Sequence, residues 1–504
     1  MDIRIERIQV NALNKQMIPP SYSPVFFMIE NIKKQNWVKI TRRYITNKAA
    51  ISILSFFLVI ALVLPSSAHM DFSFQHTRNI PIQHVMEKGW IEHRDNITIL
   101  HLNGTAYDMG VQQGVLLKTE IQENVRACLA FCDERGFPYQ RLLDIWDVMK
   151  PLLPQPYIEE MQGIADGSNV SFENISIFNF GLYSALNCAS FSAWGPATSD
   201  GRLYHARSSD FPLTARDPLT GIYLQENQLV IIRKPIIGYA SFAPSLAGEV
   251  DCESGMNEKG IMVGMLSSWT DNETYQGIEV GFRMRMVLDD AATADEAIRI
   301  ITSNRTLGYN FVLSDGKIPE GFALETNAEK YYVGTWNTSS ESTRPFWAMD
   351  HVVRRTNMFV DPTMAASQRK WYNPTLFPLL SMVLGLNPMG KTELSAAGPW
   401  VHYMALSKGI QQKWGALNLT NAMALLRAVY LGKTDVRFFL IQRAKAHTTI
   451  YQWVACPKTG DILLSFATIK KNAFENPVHA FNFFELLNES PPFFLLFTPI
   501  ASSR

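Results

Sequence analysis

The periodicity of the chain changes at residue 188, and that change limits the folds open to it. Before it, Ile97-Thr98-Ile99-Leu100-His101-Leu102 alternates as a strand. Apolar residues then recur at helical spacing: Val111, Val115, Leu116, Ile121 and Val125 predict a helix across 110–135, and a second helical stretch runs from about 138 to 167. After it, short β-rich segments take over. Residues 191–197 and 203–208 flank the turn signal Thr198-Ser199-Asp200-Gly201 and read as a hairpin, and a second hairpin pairs 448–454 with 462–466 around Lys458-Thr459-Gly460. Further strands are expected at 229–232, 260–264, 311–314 and 322–325, with helices at 289–303 and 420–431. Strands in hairpins, separated by helices, predict an α+β layered fold of antiparallel sheets covered by helices.

Composition narrows the partners. Lys+Arg and Asp+Glu balance at 46 each, so no net field draws the chain to nucleic acid, and 47% apolar residues across 504 positions suffice for a large core. Residues 1–48 differ, with nine Lys/Arg against three acidic residues, and they lead into an apolar run at 49–64 followed by Pro65-Ser66-Ser67-Ala68. That order describes a secretory signal at 49–68, cleaved or kept as a type II signal anchor, with Met28 an alternative start. Nine Asn-x-Ser/Thr sequons, at Asn96, Asn103, Asn169, Asn174, Asn272, Asn304, Asn337, Asn418 and Asn488, all lie beyond it. Roughly half as many would arise by chance, so a glycosylated lumenal chain, lysosomal or extracellular, is the expectation.

Such a compartment makes five cysteines notable, because an odd number leaves one thiol unpaired. Cys128 and Cys132 lie four apart in a predicted helix, where a disulfide is strained. No CxxC pair, HExxH or Cys/His cluster occurs, so neither metal nor cofactor is expected. Cys188, in "ALNCASFSAWGP", is either a small buried filler or a nucleophile. A nucleophilic thiol needs a base, and no papain-like signature is nearby. One solution is to cut the chain before the cysteine: the freed α-amine, with a pKa of roughly 7.7–8.0, then serves the thiol as its own base. Arg207 and Asp210, three apart on the partner strand of the hairpin, fall opposite the start of the Cys188 strand.

These segments resemble a known family. "NCASFSAWGPATSDGRLYHARSSDFP" is similar to the nucleophile region of the N-terminal-nucleophile (Ntn) hydrolases related to isopenicillin-N acyltransferase, peptidase family C45. Bile-salt hydrolase, acid ceramidase and N-acylethanolamine amidase are more distant relatives. The resemblance runs across about 95–485 through "LNGTAYDMGVQQGVLL", "YIEEMQGIADGSNVS", "GMNEKGIMVGML", "YNFVLSDG…GFALE", "RRTNMFVDP", "ASQRKWY" and "TIYQWVACPKTGDILLSFA". It implies an αββα sandwich that cleaves itself at Asn187–Cys188, dividing a helical segment at 69–187 from a catalytic chain at 188–504. It implies Cys188 as nucleophile, Arg207 and Asp210 as the groups that position it, Asn357 as an oxyanion-hole donor, Asn257 as a second polar contact and Arg369 as a late arginine near the thiol. The implied partners are a small N-acyl amide or lipid substrate and the two chains of the cut precursor.

Other motifs compete. Gly385-Leu386-Asn387-Pro388-Met389-Gly390-Lys391-Thr392 matches the P-loop pattern but lacks a preceding strand, which predicts a loop between helices. His205 shares the face of Arg207 by period two and His447 opens a late strand; both read as structural. The aromatic tail at 481–497 reads as a core cap, with contact to a membrane surface the sharper alternative.

Overall fold

The computed structural model describes residues 88–181, 187–369, 398–431 and 449–491. The leader, the apolar run at 49–64, the P-loop-like stretch, His447 and the tail beyond 491 lie outside the described residues. Residues 82–504 cluster as one unit, so the segment N-terminal to Cys188 belongs to the same body as the chain that follows.

That N-terminal segment opens with β1 (Trp90–Arg94) and β2 (Ile97–Gly104), then runs through α1 (Ala106–Leu116), α2 (Lys118–Glu134), α3 (Tyr139–Met149), α4 (Gln155–Ser168) and α5 (Phe172–Gly181). The helix expected across 110–135 is two helices, broken at Leu117, where φ is −123°. The stretch at 138–167 is also two, because Pro151 and Pro154 interrupt it. α1 and α4 cross at glycines. A Cβ built on Gly163 would stand 2.3 Å from the Tyr107 carbonyl oxygen, and one on Gly110 would stand 2.1 Å from that of Glu160. Gly114 and Gly167 repeat the contact one turn on, which gives the "GVQQG" and "GIADG" motifs a packing role.

The remainder builds two sheets. Its elements are β3 (Asn187–Gly195), β4 (Gly201–Asp210), β5 (Gln228–Pro235), β6 (Ser241–Leu246), β7 (Ser254–Asn257), β8 (Ile261–Ser267), α6 (Val280–Asp290), α7 (Ala294–Thr302), β9 (Tyr309–Asp315), β10 (Glu320–Thr326), β11 (Tyr331–Gly334), β12 (Val352–Thr356), α8 (Pro362–Ala365), α9 (Gly398–Gln412), α10 (Leu419–Leu431), β13 (Thr449–Cys456), β14 (Asp461–Phe466), β15 (His479–Asn482) and α11 (Phe483–Asn488). The helix expected at 289–303 starts later, at Ala294, behind a capping box from Thr293 and Glu296.

One sheet has nine strands in the order β1-β2-β5-β6-β7-β8-β9-β10-β11, antiparallel except for the β2–β5 pair; the other has six, β12-β3-β4-β13-β14-β15. β3 and β12 face β8 and β9 across the interior, α6 covers the outer side of β7 and β8, and α9 and α10 cover the six-stranded sheet. This is the expected αββα arrangement. Because both faces are covered, all seven residues of β8 and all eight of β13 are buried. Phe242 from one sheet stacks on Trp453 from the other, with ring centroids 5.5 Å apart.

The N-terminal segment is tied to this sandwich by buried charge. Glu160 on α4 accepts from Arg285 on α6 and approaches Arg233 on β5 at 3.5 Å, while Asp289 takes the Arg285 Nε at 3.0 Å. Among the described residues no helix is long and apolar enough to cross a membrane. All nine sequon asparagines lie at the surface, five exposed and four half-buried. The five cysteines are buried and unlinked.

Candidate active site

Cys188 is the second residue of β3 and is fully buried. The β3–β4 register pairs Asn187 with Asp210, Cys188 with Ser209 and Ser190 with Arg207, so the hairpin turn brings both expected residues to the head of the strand. Arg207 reaches along its strand and donates from Nη2 to the Cys188 sulfur at 3.0 Å, and from Nη1 to the Ser208 carbonyl. Its stem passes beneath Gly264 on β8, where any Cβ would lie 2.8 Å from the Arg207 Cδ. The glycine in "GIMVGML" is therefore the space the arginine occupies.

The charge balance here is unusual. The Arg207 guanidinium is fully buried, its Nε has no hydrogen-bond partner, and among the described residues no carboxylate lies within ion-pair distance of it. A buried, unpaired cation is costly unless an anion forms beside it. The atom placed to become that anion is the sulfur. In the uncut chain burial pushes the Cys188 thiol up to about 11, while Arg207 and the backbone N–H of Asp210 pull it down. Burial also pushes Asp210 up to about 7, offset in part by the Thr449 hydroxyl, which donates to its Oδ1 at 2.7 Å, and by Arg207. Thiol and carboxyl are both held protonated more firmly than in water.

Asn357 follows β12, which pairs with β3 on its other side. Its Oδ1 accepts the backbone N–H of Cys188, and its Nδ2 donates to the Ser267 carbonyl at 2.8 Å. It therefore grips the nitrogen of the Asn187–Cys188 bond. Across a trans peptide the carbonyl points the opposite way, so in the uncut chain Asn357 faces the leaving nitrogen and not the oxygen that would carry the oxyanion. The expected oxyanion contact is therefore not the one this intact chain makes.

Two expected residues stand apart. Asn257 ends β7 with its amide saturated: Nδ2 donates to the carbonyls of Leu288 and Ala291, and Oδ1 accepts from Lys259 and Ile261. It caps α6 and closes the β7–β8 turn, leaving no hydrogen-bonding capacity for a substrate. Arg369 donates to the Thr270 carbonyl and to Glu273 at 3.0 Å and lies over the Trp269 ring. It braces the segment that leaves β8 and has no contact with Cys188. His205 bonds Ser190 and Ser314, and burial followed by Arg207 lowers it to about 3, so it is a neutral core imidazole.

Glu253 escaped the sequence reading. Its Oε2 accepts from Ser209, the cross-strand partner of Cys188, and from Tyr451 at 3.1 Å. It lines a cavity of about 20 Å³ with Phe178, Phe211, Glu249, Ile450 and Tyr451. That is room for roughly one water. The only signal in the sequence is a carboxylate two residues ahead of a buried strand glycine. Among the described residues one group has metal-ligand chemistry, Glu92, His101 and Glu489, and Arg94 is ion-paired to both carboxylates.

A family model described as acyl-coenzyme A:6-aminopenicillanic acid acyl-transferase matches residues 198–393. An uncharacterized protein of Archaeoglobus fulgidus is 26% identical over 332 residues, covering 56% of this chain and 54% of its own. Acid ceramidase of Rattus norvegicus is 27% identical over 197 residues, 34% of this chain and 48% of its own. N-acylethanolamine-hydrolyzing acid amidase of Cavia porcellus is 32% identical over 94 residues, 18% and 26%. The chain thus spans about half the length, or less, of these relatives. Its sandwich, its hairpin-borne thiol and these similarities agree, and all of them point to the N-terminal-nucleophile hydrolases as the proteins this chain resembles.

Proposed function

We propose that this chain is a lumenal or secreted, self-processing cysteine amidohydrolase that cleaves the amide bond of an N-acyl, lipid-like substrate through an acyl-enzyme on Cys188. The observation that carries the reading is the buried guanidinium of Arg207 set against the Cys188 sulfur with, among the described residues, no carboxylate in ion-pair contact with it. Maturation comes first. The thiolate adds to the Asn187 carbonyl, the C–N bond breaks as nitrogen takes the proton, and the acyl group moves to sulfur. Water then hydrolyses the thioester, leaving a carboxylate on Asn187 and a free thiol and amine on Cys188.

Turnover repeats the chemistry on a substrate amide. Cys188 attacks, its own α-amine relays the proton to the leaving amine, Asn357 turns its amide hydrogens toward the oxyanion, and water resolves the thioester. Arg207 holds the thiolate, while Asp210 fixes the hairpin end and the amine. The names of acid ceramidase and N-acylethanolamine-hydrolyzing acid amidase among the relatives support an N-acyl substrate. The acyl-transferase description of the family model favours a second reading, in which an amine and not water takes the acyl group. The nine surface sequons support a glycosylated product of the secretory pathway, lysosomal or extracellular, with its two chains still associated and the tail a candidate contact for a membrane surface.

The test is a panel of N-acylethanolamines, ceramides and lysophospholipids offered to the purified mature protein. Mass spectrometry of the quenched enzyme should find the acyl group on the peptide beginning at Cys188. Turnover of lysophospholipid with none of the amides would overturn the amidase reading; product formed only when an amine acceptor is added would select acyl transfer.

A further inference from the structure

Asn357 is a single side chain after the end of a strand, and β12 alone does not fix where it points. The opposite sheet does. Asn310 on β9 is fully buried, and its Nδ2 donates to the carbonyls of Thr356, at 2.6 Å, and Met358, at 2.8 Å, the two residues that flank Asn357. Both partners are pure acceptors, so the nitrogen must face them, and Oδ1 is left buried with no partner. A buried acceptor left unsatisfied is unfavourable, and a residue chosen only for packing would avoid it.

Cross-strand from Asn310 stands Glu325 on β10. Its carboxylate accepts from the Val360 N–H at 2.7 Å, the Asp361 N–H and the Arg355 Nε at 2.9 Å, and Arg355 is held in turn by Glu341. Asn310 therefore pins the backbone on both sides of Asn357, and Glu325 pins the turn that follows. The segments "YNFVLSDG", "GFALE" and "RRTNMFVDP" meet in one device.

We propose that Asn310 is the positioning residue that aims Asn357 at the nitrogen of Cys188, with Glu325 as its second anchor. The assignment rests on the role proposed for Asn357 above. Asn310 touches no reacting atom and acts only through Asn357.

A double-mutant cycle on the full chain tests it, with the self-cleavage rate and the kcat and KM of the mature enzyme as readouts. Asn310→Ala should lower the cleavage rate and kcat by about tenfold or more while KM moves less than about threefold. In an Asn357→Ala background the same change should cost less than about twofold, because its target is gone. Equal losses in both backgrounds would show a general structural effect and overturn the proposal. Should Asn310→Ala fail to fold, Asn310→Asp keeps the size and, when protonated, one donor; its kcat should recover toward acid pH, and a profile parallel to wild type counts against the idea. A crystal structure of either variant decides independently of activity. The Asn357 Oδ1 should leave the Cys188 nitrogen, and an unchanged contact overturns the proposal even if the wild type turns over no amide.

Discussion

At the scale of single residues the site is a problem in buried charge. Among the described residues Arg207 has no carboxylate in ion-pair contact, only Glu253 acting on it at longer range, and Cys188 is the group in direct contact that can ionise. Removing the cation with Arg207→Gln should push the already raised thiol higher and slow self-cleavage by roughly 100-fold, within the range one adjacent charge supplies. The alkaline limb of the rate–pH profile should move upward with it. Arg207→Lys keeps the charge but loses the fork that reaches sulfur and Ser208 together, so it should fall between the two. Time-resolved gel analysis of the purified precursor across pH checks both. An Arg207→Gln protein that cleaves at the wild-type rate would mean that the sulfur is activated by another group.

At the scale of elements, glycine decides how closely two helices approach. Exchanging Gly for Ala within an exposed helix stabilises it by about 1 kcal/mol. At Gly163 the sign should reverse: the new methyl would meet the Tyr107 carbonyl, and Gly163→Ala should destabilise by about 1–3 kcal/mol, read as a lower urea midpoint at unchanged slope. A neutral or stabilising result would mean that α1 and α4 can separate freely. Elements with a strong local period were legible in the sequence: the β3–β4 hairpin, the β13–β14 hairpin and α10 fall where alternation and turn residues put them. Cys188, Arg207, Asp210 and Asn357 came together because three of them share that hairpin and the fourth follows the strand beside it. Asn257 and Arg369 did not join them, since a residue near a glycine turn or a late loop carries no local sign of which way its side chain faces. Glu253 and Asn310 were missed for a related reason. Their contacts cross between sheets, and no spacing along the chain reports a neighbour on the opposite sheet.

At the scale of the whole molecule the interior holds many carboxyl groups without full compensation. Burial raises Asp210 and Glu279 to about 7 and Glu325 to about 8. Each binds its proton more tightly when folded, so the stability it contributes is complete below the unfolded value near 4 and is lost as pH rises through 7 to 8. His101 and His205, lowered by burial to about 4 and about 3, act the other way, losing stability only as pH falls below about 6.5. Between pH 8 and 6.5 the carboxyls act alone, so Tm should be higher at pH 6.5 than at pH 8 by calorimetry; a flat or opposite slope would contradict the account of these groups. The Glu160–Arg285–Asp289 cluster joins the N-terminal segment to the sandwich through contacts that do not involve the Asn187–Cys188 bond. Cutting that bond should therefore leave both pieces together, with Glu160→Ala costing about 3–5 kcal/mol by stranding buried arginines. On the proposed function the bond between Asn187 and Cys188 is broken by the chain itself. N-terminal sequencing of the purified mature protein beside Cys188→Ala tests it most directly: a new terminus beginning Cys188-Ala189-Ser190 in the wild type and an uncut chain in the variant is the predicted result. A wild-type chain that stays whole under the same conditions, or a variant cut at the same bond, would contradict it.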